Sequence, residues 1–152
     1  PLLFHLLTIG HLIKDMHFML QREVVDRLGA SPSSKTYGRL SVMIQYHCRV
    51  MPLIPVPPES FRPAPKVQSA VVRLKPYTVK PFVADNEILM SKLVNICFQQ
   101  RRKTLRNCLK SFGDYLQELE SLIDLSKRPE QLSVGDFVTI ANAVQLSMDA
   151  RQ

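Results

Sequence analysis

The sequence predicts an α/β fold in its first half, followed by a small all-α domain. Short apolar runs predict three strands, near residues 16–21, 49–56 and 68–74. From residue 86 onwards, apolar residues recur at spacings of three and four, which is typical of amphipathic helices. The linker K-P-Y-T-V-K-P-F, residues 75–82, separates the two patterns and carries two prolines. We therefore expect one domain over residues 1–78 and a second over residues 82–152.

Helical segments surround the first predicted strand. Residues 1–9 are too densely apolar for an exposed helix, so we expect a helix that packs on the sheet. Residues 22–28 follow the strand with a helical apolar face, and Gly29 is well placed to end that helix. Residues 37–48 repeat apolar side chains at helical spacing and predict a longer amphipathic helix.

The second and third predicted strands are joined without room for a helix. Pro52 and Pro55 lack backbone donors, so the strand at 49–56 should lie at a sheet edge or contain a bulge. The connection to strand 68–74 has only about a dozen residues, fewer than a crossover helix requires. We therefore expect these two strands to pair antiparallel.

Three to four helices are expected in the second half. Residues 86–100 predict the first, and Thr104 is a candidate cap for a second helix that extends to residue 112. Residues 114–123 predict a third helix. Ser133 opens the segment S-V-G-D, which resembles a capping box with Asp in place of Glu or Gln and predicts the start of the last helix.

The composition favours a globular protein without a membrane-spanning helix. Of the 152 residues, 45% are hydrophobic, and no apolar run approaches the roughly 18 residues of a membrane helix. The sequence has no signal peptide, starts without Met and begins inside a helical pattern. We therefore expect it to be the later part of a longer cytoplasmic protein.

Cysteine and histidine are arranged for neither a disulfide framework nor a metal site. Cys48, Cys97 and Cys108 are widely spaced and form no C-x-x-C pair. The four histidines include no pair separated by three or four residues. We expect no metal and a reducing compartment.

Positive charge is unevenly distributed along the chain. The formal net charge is +7, and residues 1–80 carry eleven Lys or Arg against four Asp or Glu. The second half is neutral in sum, but residues 88–112 hold six bases and no acid, whereas residues 114–124 hold four acids and no base. This distribution favours a polyanionic partner.

The most distinctive polar motif is F-Q-Q-R-R-K-T-L-R-N, residues 98–107. Guanidinium groups contact phosphates through paired hydrogen bonds, and several such contacts bind RNA with strong salt dependence. The alternative is a solvated helix face, but the lack of neighbouring acids favours RNA contact. The candidate RNA-binding residues here, which we call the basic cluster, are Arg101, Arg102, Lys103, Arg106 and Lys110.

Phe61 is the second candidate for contact with RNA. It lies in a segment with four prolines between residues 57 and 65, which should hold the ring on a stiff, non-helical loop. Enzymes that act on a nucleobase hold it by stacking on aromatic faces, and Lys66 could contact a phosphate of the same nucleotide. The alternative is an aromatic side chain that fills the core. No glycine-rich loop follows a strand, so we expect no cofactor-binding residues.

Three longer motifs stand out along the chain: Y-G-R-L-S-V-M-I-Q-Y at residues 37–46, P-P-E-S-F-R-P-A-P-K-V-Q-S-A-V-V-R-L at residues 57–74, and F-Q-Q-R-R-K-T-L-R-N at residues 98–107. They resemble motifs of the ribosomal RNA adenine dimethyltransferases, and most closely those of the bacterial small-subunit branch, whose loss gives kasugamycin resistance. The segment M-L-Q-R-E-V-V-D-R-L, residues 19–28, extends the resemblance to nearly the whole chain.

The resemblance implies a Rossmann-like methyltransferase that uses S-adenosylmethionine and carries a helical RNA-binding domain. Such enzymes dimethylate two adjacent adenines near the 3′ end of 16S rRNA during ribosome biogenesis. In the family, an N-L-P-Y motif holds the amine, and its Tyr and the Phe that matches Phe61 sandwich the base. That motif and the cofactor loops would lie upstream of Pro1. We therefore expect a fragment that is inactive by itself.

Two alternatives to this function stay open. One is a non-catalytic rRNA-binding or ribosome-assembly module that uses residues 82–152, and the other is a large-subunit rRNA adenine methylase. For the small-subunit enzyme, the expected partner is the rRNA of a 30S assembly intermediate, and we expect a monomer.

Overall fold

Three antiparallel strands form the sheet of this computed structural model, which describes residues 2–151. They are β1 (Met16–Gln21), β2 (Cys48–Val56) and β3 (Ser69–Pro76). β3 lies in the centre, and Ser69 at its start is in register with Gln21 of β1 and Val56 of β2. The predicted strands and the antiparallel pairing of β2 with β3 are confirmed.

The prolines of β2 act as the sequence predicts. Within residues 2–151, β2 is an edge strand, and its pairing with β3 shifts register between Pro52 and Ile54. Proline cannot donate a hydrogen bond to a neighbouring strand. The edge position and the bulge therefore allow Pro52 and Pro55 to lie in β2 without leaving an unmade hydrogen bond inside the sheet.

Seven α-helices and four 3₁₀ turns complete the structure over residues 2–151. The predicted helix at residues 1–9 corresponds to the first of them, and Pro1 lies outside the described residues. The α-helices are α1 (Leu2–Thr8), α2 (Arg22–Leu28), α3 (Arg39–His47), α4 (Glu87–Gln99), α5 (Leu105–Cys108), α6 (Leu116–Glu120) and α7 (Val134–Asp149). The 3₁₀ turns are Gly10–Leu12, Pro58–Ser60, Lys110–Tyr115 and Pro129–Gln131.

The second half is less regular than its apolar periodicity predicts. The helix expected from Thr104 to residue 112 ends at Cys108, and the one expected at residues 114–123 is shortened to α6. Between them the chain runs as a 3₁₀ segment that is kinked at Phe112, next to Gly113. Glycine is a poor helix former, and the kink lets the apolar side chains on both sides reach the same core.

The two predicted N-terminal caps differ in outcome, whereas Gly29 ends α2 as predicted. The Ser133 hydroxyl oxygen accepts a hydrogen bond from the Asp136 backbone N–H at 3.1 Å, and the Asp136 carboxylate accepts one from the Ser133 N–H at 2.9 Å. The predicted capping box at α7 is therefore confirmed. Thr104 precedes α5 without a side-chain bond to the helix backbone, because its hydroxyl accepts instead from the Asn107 side chain at 3.1 Å.

α3 packs in two hydrophobic cores at once. Ile44 belongs to the core under the sheet, whereas Val42, Met43 and Tyr46 belong to the core of the C-terminal helices. A helix that is apolar on two faces is buried on both. α3 therefore connects the part of the chain that carries the sheet to the part that carries the helices.

An ion pair fixes the start of β1 to the central strand. The Arg73 guanidinium donates two hydrogen bonds to Asp15 Oδ2, at 2.6 and 3.1 Å. These bonds lower the pKa of Asp15, so its carboxylate form is the one that the fold favours.

The three cysteines are free and buried. Burial raises the pKa of Cys48 to about 11 and that of Cys97 to about 12. The thiolate is the reactive form of cysteine, so these thiols are held in their inert state. Over residues 2–151, no set of three or more His, Cys, Asp or Glu side chains could share a metal ion. None of the helices in that range has the length and apolar character needed to cross a bilayer.

Candidate nucleic-acid interface

The loop that carries Phe61 lies at the end of the sheet where β1 terminates. It connects Val56 to Ser69, and both residues are level with Gln21, the last residue of β1. Open α/β sheets bind their ligands outside the carboxyl ends of the strands. The antiparallel return of β3 thus brings the loop to the carboxyl end of β1.

Phe61 is held by a proline-initiated 3₁₀ turn. Pro57 is extended, Pro58 opens the turn, and the Phe61 N–H donates to the Pro58 carbonyl at 3.1 Å. The other end of the loop is anchored on α2, because the Arg22 N–H donates to the Gln68 carbonyl at 2.9 Å and the Arg22 guanidinium donates to the Gln68 side chain at 3.1 Å. The loop is therefore fixed at both ends, as its prolines predict.

The Phe61 ring is half-buried and lines a shallow cavity of about 360 Å³. This volume lies within the roughly 300–1,000 Å³ typical of ligand pockets. Phe61 belongs to neither of the two cores among the described residues, which argues against the alternative of a core-filling aromatic. The other residues that line the cavity are Met19, Leu20, Gln21, Pro63, Pro65 and Ser69.

The basic cluster surrounds the turn between α4 and α5. Arg101, Arg102 and Lys103 lie in that turn, which is closed by a hydrogen bond from the Lys103 N–H to the Gln100 carbonyl at 2.8 Å. The buried Cys108 thiol lies against the same turn, with its sulfur 3.6 Å from the Gln100 carbonyl oxygen and 3.8 Å from the Lys103 carbonyl oxygen. The backbone of the turn is therefore fixed from inside the core.

The structure divides the predicted RNA-binding residues by their partners. Arg102, Lys103, Lys110 and Lys66 are exposed, and none of them forms an ion pair with another residue in the range 2–151. Arg106 is exposed but pairs with Glu120. Arg101 is half-buried and pairs with Glu130. These four cations have no ion pair to give up, so they can bind a phosphate at the smallest cost in free energy.

Arg101 also bonds the backbone of a distant loop. Its Nε donates to Glu130 Oε2 at 2.8 Å, and its Nη2 lies 2.9 Å from the Lys35 carbonyl and 3.4 Å from the Ser34 carbonyl. This role is not visible in the sequence, because the partners of Arg101 lie 29 to 67 positions away in the chain. Glu130 gives no local signal of this pairing, because Lys127 and Arg128 stand nearer to it in the sequence.

Three of the five glycines pack against the chain's own side chains and leave no open cradle there for the cofactor that the resemblance implies. A phosphate- or nucleoside-binding cradle uses glycines that a ligand approaches closely. Here a Cβ on Gly10 would lie 3.8 Å from Pro76, and one on Gly135 would lie 2.8 Å from the Phe82 ring. A Cβ on Gly29 would meet Val50 and Pro52, so these three glycines face the chain's own side chains, whereas a Cβ on Gly38 or Gly113 would have no neighbour within 4 Å.

Comparisons with known proteins identify the family to which the chain belongs. The family model described as ribosomal RNA adenine dimethylase matches residues 1–146. Ribosomal RNA small subunit methyltransferase A of Saccharophagus degradans is 57% identical over 145 residues, which are 95% of this chain and 54% of that protein. The protein of the same name from Psychromonas ingrahamii is 52% identical over 95% of this chain and 53% of its own length. The chain thus spans about half the length of these relatives.

Solved structures share the fold. A dimethyladenosine transferase from Plasmodium falciparum superposes with a TM-score of 0.81 and 26% identity, over 99% of this chain and 62% of that one. The 23S rRNA methyltransferase ErmE superposes with a TM-score of 0.61 and 16% identity, over 88% of this chain and 55% of that one. At that identity, the second likeness is one of fold alone. The family match along nearly the whole sequence shows that this chain belongs to the ribosomal RNA adenine dimethylase family.

Proposed function

We propose that this chain is the C-terminal part of an enzyme that dimethylates two adjacent adenosines near the 3′ end of small-subunit rRNA. S-adenosylmethionine, which this family uses, would supply the methyl groups and would bind outside the residues described above. The observation that carries the proposal is the Phe61 ring, which lines an open cavity at the carboxyl end of β1.

Phe61 is proposed to stack on the target adenine. A base that is taken out of its stack loses favourable contacts, and an aromatic face restores part of them. Because the loop is anchored at both ends, the ring can hold the adenine at one angle and so position its exocyclic amine. Lys66, five residues further along the same loop, would contact a phosphate of the same strand.

The exposed cations of the helical part are proposed to hold the rest of the RNA. Arg102, Lys103 and Lys110 would contact phosphates directly, with Arg106 at the edge of this surface. The proposed partner is rRNA within a 30S assembly intermediate, met by a monomer in the cytoplasm without a metal. We propose residues 1–78 as the catalytic part and residues 82–152 as the RNA-binding part, joined through α3.

Two features favour this function over its rivals. A non-catalytic binding module has no need for an aromatic ring that lines a cavity at the ligand-binding end of the sheet. A large-subunit methylase is disfavoured because the relatives that are 57% and 52% identical are named as small-subunit enzymes. The 23S rRNA enzyme shares only 16% identity with this chain.

The experiment replaces Phe61 with alanine in the full-length protein. Stacking of a base on an aromatic side chain contributes about 1–3 kcal/mol, so Phe61→Ala should lower the rate of methyl transfer roughly ten- to a hundredfold. RNA affinity should change far less, because the phosphate contacts are kept. Transfer of labelled methyl groups and rRNA binding are measured on the same preparations.

Val67→Ala is the matched control, because Val67 is an exposed apolar residue of the same loop. It should leave both methyl transfer and affinity close to those of the unmodified protein. Unchanged turnover in Phe61→Ala would exclude the stacking role. An equal loss of affinity and turnover would instead make Phe61 a general RNA contact.

A further inference from the structure

We propose that Arg101 is a positioning residue, which holds the basic turn in place while its neighbours Arg102 and Lys103 contact the phosphates. This inference rests on the proposed function, because it assigns roles within the RNA-binding surface named there. It separates residues that are adjacent in the sequence and carry the same charge.

The first support is the number of donors that Arg101 already uses. Its guanidinium bonds the Glu130 carboxylate and the carbonyls of Lys35 and Ser34. Arginine has five N–H donors in a planar fork, which suits one carboxylate and adjacent carbonyls together. The side chain of Arg101 is 38% exposed and that of Glu130 is 30% exposed, so the pair is partly withdrawn from solvent.

The second support is that Glu130 joins the same loop through its backbone. The Ser33 N–H donates to the Glu130 carbonyl at 2.7 Å, with Ser33 in the left-handed region at a φ of 70°. Non-glycine residues adopt that region at a cost, which the surrounding bonds have to offset. The buried Tyr37 hydroxyl also donates to the Leu132 carbonyl at 2.7 Å. Residues 31–37 and 129–132 therefore form one unit.

The third support is that the other side of the basic turn is bonded to residues 125–127, the segment that leads into this unit. The Leu105 N–H donates to the Lys127 carbonyl at 2.8 Å, and the Arg106 N–H donates to the Leu125 carbonyl at 3.1 Å. Arg101 closes the arrangement from the opposite end of the turn. Its loss would free the segment that presents Arg102 and Lys103.

Substitution of Glu130 distinguishes a positioning role from a purely electrostatic one. If Arg101 and Glu130 acted on RNA only through their charges, removal of the acid would strengthen binding. If Glu130 holds Arg101 and the turn, its removal weakens binding although the protein becomes more positive. The two roles therefore predict opposite changes in RNA affinity when Glu130 is replaced.

The experiment measures rRNA affinity of the full-length protein over a series of salt concentrations. Arg101→Ala and Glu130→Ala should each weaken binding by about fivefold or more and leave the salt slope unchanged. Arg102→Ala combined with Lys103→Ala should flatten the slope by about 0.7–0.9 for each lost phosphate contact. Asp149→Ala, which removes an acid at the end of α7, should not weaken binding. Thermal unfolding identifies any variant that no longer folds.

Tighter or unchanged binding by Glu130→Ala would overturn the positioning role, as would a flattened slope in Arg101→Ala. If Glu130→Ala does not fold, Glu130→Gln takes its place, and weaker binding with an unchanged slope is again the expected result. An unaltered slope and affinity in the Arg102 and Lys103 double variant would overturn the RNA-binding surface itself. Failure of the positioning role and failure of the surface are therefore distinguishable.

Discussion

At the scale of single residues, hydrogen-bonding partners separate side chains that the sequence presents as equivalent. The basic cluster could be predicted from composition, because a run of bases without acids is visible in the sequence. The distinct state of Arg101 could not, since it depends on Glu130 and on two carbonyls that only the fold brings near. The setting of Phe61, in contrast, could be predicted from the sequence. Its neighbouring prolines fix the loop locally, and the loop joins two strands that were themselves predicted.

Tyr37 provides a prediction for the stability of this region. Its side chain is fully buried, its hydroxyl bonds the Leu132 carbonyl, and burial raises the pKa of the phenol. Tyr37→Phe leaves that carbonyl without its donor, which should lower the free energy of unfolding by about 1–3 kcal/mol. Chemical denaturation of the full-length protein measures the change.

Tyr77→Phe is the comparison variant for Tyr37. The Tyr77 hydroxyl makes no hydrogen bond within residues 2–151, so its removal should change stability by much less. Equal effects of the two substitutions would show that the bond between Tyr37 and Leu132 contributes nothing specific.

At the scale of secondary-structure elements, the outcome depends on whether local signals and tertiary packing agree. α4 and α7 have long apolar faces and good caps; α4 was predicted within about a residue of both its observed ends, and the predicted start of α7 at Ser133 coincides with its observed cap. α5 and α6 were predicted too long, because their apolar spacing continues through Gly113 although the backbone does not. Apolar periodicity indicates which side chains are buried, but it does not require a continuous helix between them.

The cap of α7 is the element with the most direct test. The Ser133 hydroxyl bonds the Asp136 N–H, so Ser133→Ala should lower the free energy of unfolding by about 1 kcal/mol. Thr104→Ala is the matched substitution at a helix start whose side chain makes no cap bond, and it should have a smaller effect. Thermal unfolding of both variants decides the point, and a larger loss in Thr104→Ala would contradict the assignment of the caps.

At the scale of the whole molecule, α3 links the sheet to the helical part. Its two apolar faces place the Phe61 loop and the basic cluster on a common framework, with contacts to both cores. The sequence predicted the helix but assigned it to the first domain, since a helical pattern does not reveal that both faces are covered. The family followed from three motifs, and its match now covers residues 1–146.

Methyl transfer to ribosomal subunits is the most direct test of the activity proposed for the full-length protein. The full-length protein is supplied with labelled S-adenosylmethionine and small and large subunits from cells that lack the modification, and the nucleosides are then identified. We predict N6,N6-dimethyladenosine at two adjacent positions near the 3′ end of small-subunit rRNA, with none in the large subunit. Label only in large-subunit rRNA, or no label in either, would contradict the proposed function.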